Sequence, residues 1–371
     1  MIPYSRQKIE ADDIAAVVRV LRSDWLTQGP NISAFEQALA KYCGQSFAVA
    51  VPNGTAALHL AYLAAGIGKG DEIITSPNTF VATTNMAIVC GAKSVFCDIR
   101  LDTYNIDEGK IERLITEKTK ALVPVDFAGH PCELAKILRI ARKHKLLVIE
   151  DACHALGARY HGKKVGGLGS DMTIFSFHPV KPITTAEGGA ILTNNKEFYD
   201  RMVRLRNHGI HRDKLGKNVM TELGFNYRIT DLQAALGLSQ LPKLERFIRR
   251  RRQVVAWYHQ ELGRCQGIVL PRQLAGSYSG WHLFIIRVVN PKHRDALSEY
   301  LKANGIGANF HYPAVYSHPY YRQHGFGKFS LPNEEVYHHT AVTIPCHQQL
   351  TRGQVRFISK TIKEFFAHAA A

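Results

Sequence analysis

The sequence predicts an α/β protein, with a mostly parallel sheet in a large domain over residues 1–245 and a smaller C-terminal α+β domain over residues 246–371. Three observations predict it. The chain has 371 residues, more than one ordinary core holds and enough for about two domains. Short apolar runs alternate with helix-length segments through the first half, the rhythm of βαβ units covered on both faces. After about residue 240 that rhythm gives way to a long amphipathic segment and a mixed set of short elements.

The elements follow in order. Phe47–Val51, Ile73–Ser76, Val95–Cys97, Ala121–Val125 and Leu146–Ile149 read as buried strands. Thr55–Ala65, Val81–Cys90, Asp107–Glu117 and Glu133–His144 read as the helices between them. Met172–Phe177 and Ala190–Thr193 are two further strands joined by a loop alone, so one of them is expected to run antiparallel. A long helix spans Leu241 to Leu262. It is followed by a strand at Leu283–Val289, a helix at His293–Asn304, an extended piece at Gly307–His311 and a last helix from Thr351. The tail Ala367–Ala371 is expected to fray.

Composition narrows the function. Apolar residues are 46% and charged residues 21%, the mix of a globular protein. No apolar run approaches the roughly 18–20 residues that span a bilayer, and none opens the chain between Met1 and Asp13. The expectation is a cytoplasmic protein without membrane or secretory segments. Basic residues outnumber acidic ones 47 to 31, a net charge of +16. The one dense run, Arg249 to Arg252 with Arg246 before it, reads as the solvated face of a helix whose other face carries Leu244, Phe247, Ile248, Val254, Val255 and Tyr258. No nucleic-acid motif accompanies it, so the surplus charge points to anionic small molecules. Seven scattered cysteines, with no C-x-x-C pair, read as free thiols in a reducing compartment. Neither they nor the 18 histidines show metal-site spacing, so no metal is expected.

Ligands of open parallel sheets bind at the carboxyl ends of the strands, so the residues after each strand carry the chemistry. After Phe47–Val51 come Asn53, Gly54, Thr55 and Ala56, opening a helix. Gly54 permits close approach, and Thr55 and Ala56 offer N–H groups to an anion such as a phosphate. After Leu146–Ile149 comes Asp151, a carboxylate for a cationic ligand, and then His154, suited to stack on a ring or donate to an oxygen. At the end of Met172–Phe177, Ser176 offers a second hydroxyl. Lys181 follows in a loop braced by Pro179 and Pro182, an amine nucleophile once its proton affinity is lowered. Gly188-Gly189 lets the next strand pass close to the same place. One cofactor needs all of these at once. Pyridoxal 5'-phosphate takes an amine for its aldehyde, a carboxylate for its pyridine nitrogen, an anion cradle and an apolar ring contact, for which Phe80 stands in Asn78-Thr79-Phe80-Val81.

These residues resemble, nearly end to end, the DegT-type sugar-nucleotide aminotransferases, which have the aspartate-aminotransferase-like fold (fold type I). The resemblance runs from Ile2-Pro3-Tyr4-Ser5 and Leu26-Thr27-Gln28-Gly29 to His311-Tyr312-Pro313. Its strongest blocks are Asn53 to Leu58, Glu150 to Gly157, Phe175 to Gly189 and Gly224 to Arg228. It implies that Lys181 is the Schiff-base lysine and Asp151 the partner of the pyridine nitrogen. It implies cofactor contacts at Gly54, Thr55, Ala56, His154 and Ser176, and a ring-stacking Phe80. Asn226 matches a residue that the family lends across a homodimer interface. Tyr4, Asp24, Trp25, Leu26, Thr27, Gly54, Ser176, Asn226, His311, Tyr312, Pro313 and Ala314 match positions that contact the sugar nucleotide. His154 stands where many members carry Gln.

The Phe175–Gly189 block is similar to the branch that works on the route to pseudaminic acid. That branch moves the amino group of L-glutamate to C4 of a UDP-linked 4-keto-6-deoxy-N-acetylhexosamine. The alternatives on the same scaffold are UDP-4-keto-arabinose or a TDP-4-keto-6-deoxyhexose as the keto-sugar, a pyridoxal-phosphate-dependent sugar dehydratase, and a non-catalytic basic regulator. Lys181 argues against the branch in which His replaces the lysine and dehydration results.

Overall fold

The computed structural model describes residues 1–326 and 329–369. Its centre is a seven-stranded sheet in the order Phe47–Val51, Gly189–Thr193, Met172–Ser176, Leu147–Asp151, Thr119–Val123, Glu72–Thr75 and Lys93–Phe96. The last five strands of that order are mutually parallel. Gly189–Thr193 runs antiparallel to both its neighbours, which identifies the antiparallel member expected where the helical crossover is missing.

The sheet is covered on both faces. Ile174 packs with Ile149, Ile191, Leu58 and Tyr62, while its neighbour Phe175 packs with Phe35, Leu39, Leu244 and Phe247. Successive side chains of a strand point to opposite faces, so an apolar pair of this kind needs helices on each side. The helix Leu244–Leu262 joins this body to the C-terminal part. Its Leu244, Phe247 and Ile248 belong to a core against the large sheet. Its Val254, Val255, Tyr258 and Leu262 belong to a second core with Phe284, Ile286, Ile344 and Ile358. There, Phe284–Val288 pairs antiparallel with Ile268–Val269 and Ala341–Ile344.

Several expectations are corrected. Asp107–Glu117 is not one helix but two single 3-10 turns, Glu108–Lys110 and Glu112–Leu114. Asp107 caps the first by accepting the Gly109 N–H, and Glu108 is drawn instead to Arg100 and Lys136. Gly307–His311, by contrast, is the extended piece expected, joined by the Gly307 N–H to Ile2 O and by the Asn309–Thr343 bridge. The arginine run is not wholly a solvated face. Arg249 is exposed, but Arg251 is fully buried between the two cores. Its Nη1 donates to the carbonyls of Cys346 (2.7 Å), His282 (3.1 Å) and Trp281 (3.3 Å). Helical periodicity turns position 251 inward, where backbone carbonyls accept its donors. The last helix, Arg352–Ala369, takes in the start of the tail, and Ala370 and Ala371 lie outside the described residues.

Candidate active site

The strand register gathers the site. Gly189 lies between Val51 on one side and Ser176 on the other. That brings the loop after Phe47–Val51 against the end of Met172–Ser176. The approach is close at two glycines. A Cβ on Gly189 would fall 2.5 Å from the Asn53 carbonyl oxygen. A Cβ on Gly54 would stand 3.1 Å from the Ser176 Cβ and 3.2 Å from the Cys153 Sγ. Asn53 caps the helix Gly54–Ala64, its Oδ1 accepting the Ala56 N–H at 2.8 Å. Its carbonyl takes the Ala57 N–H. The expectation of a free N–H at Ala56 is therefore corrected, because the cap uses it. The N–H groups of Gly54 and Thr55 are left for a ligand at this helix N-terminus.

A cavity of about 680 Å³ opens here, lined by Tyr4, Gly54, Thr55, Phe80, Asp151, His154, Ser176, Lys181, His311 and Tyr312. Its size suits a cofactor with part of a substrate. Lys181 is surrounded by protein yet open to this cavity. Burial lowers its proton affinity, against the smaller opposing pull of Cys153 and Asp151. Its loop is pinned at Val180, whose carbonyl accepts from Ser5 Oγ (3.2 Å) and Arg251 Nη2 (3.4 Å). Asp151 is buried at its strand end. Its Oδ2 accepts from Thr83 Oγ1 at 2.7 Å and its Oδ1 from the Cys153 N–H at 3.2 Å.

Two histidines of the cavity, His154 and His311, are neutral near pH 7. Burial, then the charges of Lys181 and His311, push His154 far below its usual range. Its Nδ1 accepts the Ala128 N–H at 3.3 Å, and its Nε2 lies 3.4 Å from the Tyr312 hydroxyl. Burial, then Lys181, brings His311 down to about 4, and its Nδ1 lies 2.9 Å from Thr343 Oγ1. Phe80 is exposed at the cavity rim, its ring 5.8 Å from that of Tyr312. An amine, a fixed carboxylate, hydroxyls beside a helix N-terminus and neutral rings together make a site for an anionic, ring-bearing ligand with an electrophilic carbonyl.

A family model for the DegT/DnrJ/EryC1/StrS aminotransferase family matches residues 7–363. The chain belongs to that family. As a family member it is an enzyme, an aminotransferase, with the aspartate-aminotransferase-like fold of type I. It is 40% identical over 367 residues to the UDP-4-amino-4,6-dideoxy-N-acetyl-beta-L-altrosamine transaminase of Campylobacter jejuni, covering 98% of this chain and 96% of the relative. Among solved structures it is similar to Helicobacter pylori PseC, an aminotransferase involved in the biosynthesis of pseudoaminic acid. The TM-score is 0.95 at 35% identity, over 99% of each chain. It is also similar to a Streptococcus pneumoniae protein described as a sugar aminotransferase and solved in its PMP form. There the TM-score is 0.95 at 30% identity, over 99% of this chain and 100% of the other.

Not every expected residue of this aminotransferase meets in the cavity. Asp24, Trp25, Leu26 and Thr27 lie apart from it, with Thr27 bridged to Thr230 and Trp25 lining a different surface pocket. Asn226 is exposed and paired with Asn207. Pro313 lines a small neighbouring cleft, and Ala314 is buried. Sequence reasoning missed Thr79, Thr83 and Cys153 on the cavity wall. A signal for the threonines was present. They stand four apart at a helix start, just beyond the carboxyl end of the strand Glu72–Thr75.

Proposed function

We propose that this chain is a pyridoxal-phosphate-dependent transaminase. In this reading it moves the amino group of L-glutamate to C4 of a UDP-linked 4-keto-6-deoxy-N-acetylhexosamine, on the route to pseudaminic acid. The observation that carries the reading is the meeting of Lys181, Asp151 and the Gly54–Ser176 cradle in one cavity. The choice of sugar nucleotide rests on the names of the relatives.

The residues present fit the cofactor. The helix N-terminus at Gly54 and Thr55, with Ser176 beside it on the cavity wall, suits a phosphate. Asp151 would pair with the pyridine nitrogen, and Phe80 and His154 would contact the ring. When bound, the cofactor supplies an electron sink for the carbon that bears the amine.

Lys181 is the attachment point and the proton carrier. Burial favours its free amine over the ammonium, the form in which Nζ can take a proton from glutamate and return one to the sugar C4. Tyr4, His311 and Tyr312 line the cavity and would orient the sugar nucleotide. The active unit is a homodimer with shared sites, in which Asn226 of the partner subunit completes each cavity. Exposed apolar residues near the Asn226 loop and the Trp25 segment, namely Trp25, Leu26, Met220 and Leu223, suit such an interface. Seven free cysteines suit the cytoplasm, and the charge of +16 suits polyanionic ligands. Among the described residues no helix is long and apolar enough to cross a membrane. We place the domain boundary at 245/246, within the helix that touches both cores.

The test offers the purified protein, with cofactor and L-glutamate, three keto-sugars: the UDP-linked N-acetylhexosamine, UDP-4-keto-arabinose and a TDP-4-keto-6-deoxyhexose. Preference for the first is expected. Preference for either other sugar would overturn the substrate and leave the aminotransferase standing.

A further inference from the structure

Thr79, Thr83 and Tyr62 form a buried chain of donors that ends on Asp151. All three are at most 1% exposed. Tyr62, on the helix that opens at Gly54, donates its hydroxyl to the Thr83 carbonyl at 2.9 Å. Thr83 Oγ1 lies 2.7 Å from Asp151 Oδ2 and 2.8 Å from Thr79 Oγ1. The direction of these bonds follows from their chemistry. An ionised carboxylate only accepts, so Thr83 gives its one proton to Asp151. Thr83 Oγ1 can then only accept from Thr79, which must donate. Each bond polarises the next in a buried chain of this kind. On the other side, the Cys153 N–H holds Asp151 Oδ1. Both carboxylate oxygens are thus tied, and the carboxylate plane is set by the two bonds.

We propose that Thr83 is a positioning residue for the aminotransferase reaction: it sets the Asp151 carboxylate toward the ring nitrogen of the cofactor, and Tyr62 sets Thr83. This rests on the reading of Asp151 as the partner of that nitrogen. The tie from Tyr62 gives the arrangement a second consequence. Helix Gly54–Ala64 carries the phosphate cradle at its start and Tyr62 near its end. The phosphate end and the nitrogen end of the site are therefore held to one element. Tyr62, Cys153, Lys181 and Tyr312 are the titratable groups that face Asp151. None of them replaces the Thr83 donor at Oδ2.

The test uses Thr83→Val, which keeps the shape and removes the hydroxyl, Thr83→Ser, which keeps the hydroxyl, and Asp151→Asn as the reference. Apo-protein of each is titrated with pyridoxal phosphate, and affinity, the visible circular dichroism of the bound cofactor, kcat, KM and apo-protein thermal unfolding are read. Thr83→Val should weaken cofactor binding by about 10-fold, the scale of one hydrogen bond to a charged group. It should change the visible dichroism in the same sense as Asp151→Asn and lower kcat with KM for the sugar unchanged. Thr83→Ser should restore all three. Tyr62→Phe should give the same changes at smaller size. If Asp151→Asn changes the dichroism and Thr83→Val does not, Thr83 has no positioning role and the proposal falls alone. If Thr83→Val and Thr83→Ser lower thermal unfolding alike and leave dichroism untouched, the role is structural and the proposal is overturned. If Asp151→Asn itself leaves dichroism and turnover at wild-type values, the reading of Asp151 falls and takes the proposal with it.

Discussion

The two halves of the proposed site differ in how much of them one chain holds. Lys181, Asp151, Gly54, Thr55 and Ser176 stand at strand ends and meet in a single cavity. Asn226 and the segment Asp24–Thr27 lie away from that cavity. The first half is built by hydrogen-bonded register, where Val51, Gly189 and Ser176 sit side by side. The second half is carried on loops beside exposed Trp25, Leu26 and Leu223. A sheet positions its own strand ends without help, whereas an exposed loop acquires a defined partner only from another surface. The comparison teaches that the residues proposed to hold the cofactor are gathered by one chain, whereas the proposed role of Asn226 requires a second copy.

The sharpest way to break this comparison is to inactivate each half separately. Lys181→Ala should lower turnover by about 10²–10⁴-fold or more, with loss of the visible band of the bound cofactor. Asn226→Ala should also be impaired, while keeping that band. Mixing the two variants under subunit exchange should raise activity above the sum of the separate samples, because one site of each mixed dimer is intact. A fully active monomer in sedimentation and assay would end the idea of shared sites.

A second contrast, two residues apart, sharpens the same lesson inside the helix Leu244–Leu262. Arg249 is exposed, and Arg251 is buried and holds carbonyls of both bodies, Val180 beside Lys181 and His282, Trp281 and Cys346 beyond it. Arg251→Met should cost about 3 kcal/mol in denaturant unfolding, since it leaves buried carbonyls without donors. Arg249→Ala should change stability by less than about 0.5 kcal/mol. Equal effects would mean that Arg251 is not the tie between the bodies.

The smallest expected effect is in the pH dependence of stability. Burial lowers His311 and His347 to about 4 in each case. Between about 4 and the unfolded value near 6.5, the unfolded chain binds more protons at these positions, so their contribution to stability falls as pH falls. Each contributes up to about 1.4 kcal/mol per pH unit in that window. Glu334 acts in the opposite sense. Burial raises it to about 7, so it weakens the fold as pH rises from about 4.5 to 7. The check is therefore a difference: His347→Gln should lose less stability than the wild type on going from pH 7 to 5. Parallel curves would show that His347 does not titrate out of register with the unfolded chain.

Much of the chemistry was legible in the chain order. Gly54, Asp151 and Lys181 follow apolar runs and Ser176 ends one, and a parallel sheet places such positions on one edge whatever the loops do. The antiparallel strand was foreseen for a similar local reason, because no crossover helix precedes Gly189–Thr193. Other pairings were not legible, even where the position of a residue at a strand end was. Thr83 reaches Asp151 across 68 residues of chain, and Arg251 looks no different from Arg249 in a run of four. The use of the Ala56 N–H was decided by Asn53, whose side chain competes for the same donor.

The sequence by itself determined the alternation of strand and helix, and with it the edge on which the amine, the carboxylate and the hydroxyls collect. Period and polarity act over a few residues, so they are written along the chain. Only the tertiary structure decided which donors remain free, which arginine is buried and which threonine holds the carboxylate. These depend on which groups meet after packing, and a buried polar group is satisfied by whatever partner the fold brings within about 3 Å of it.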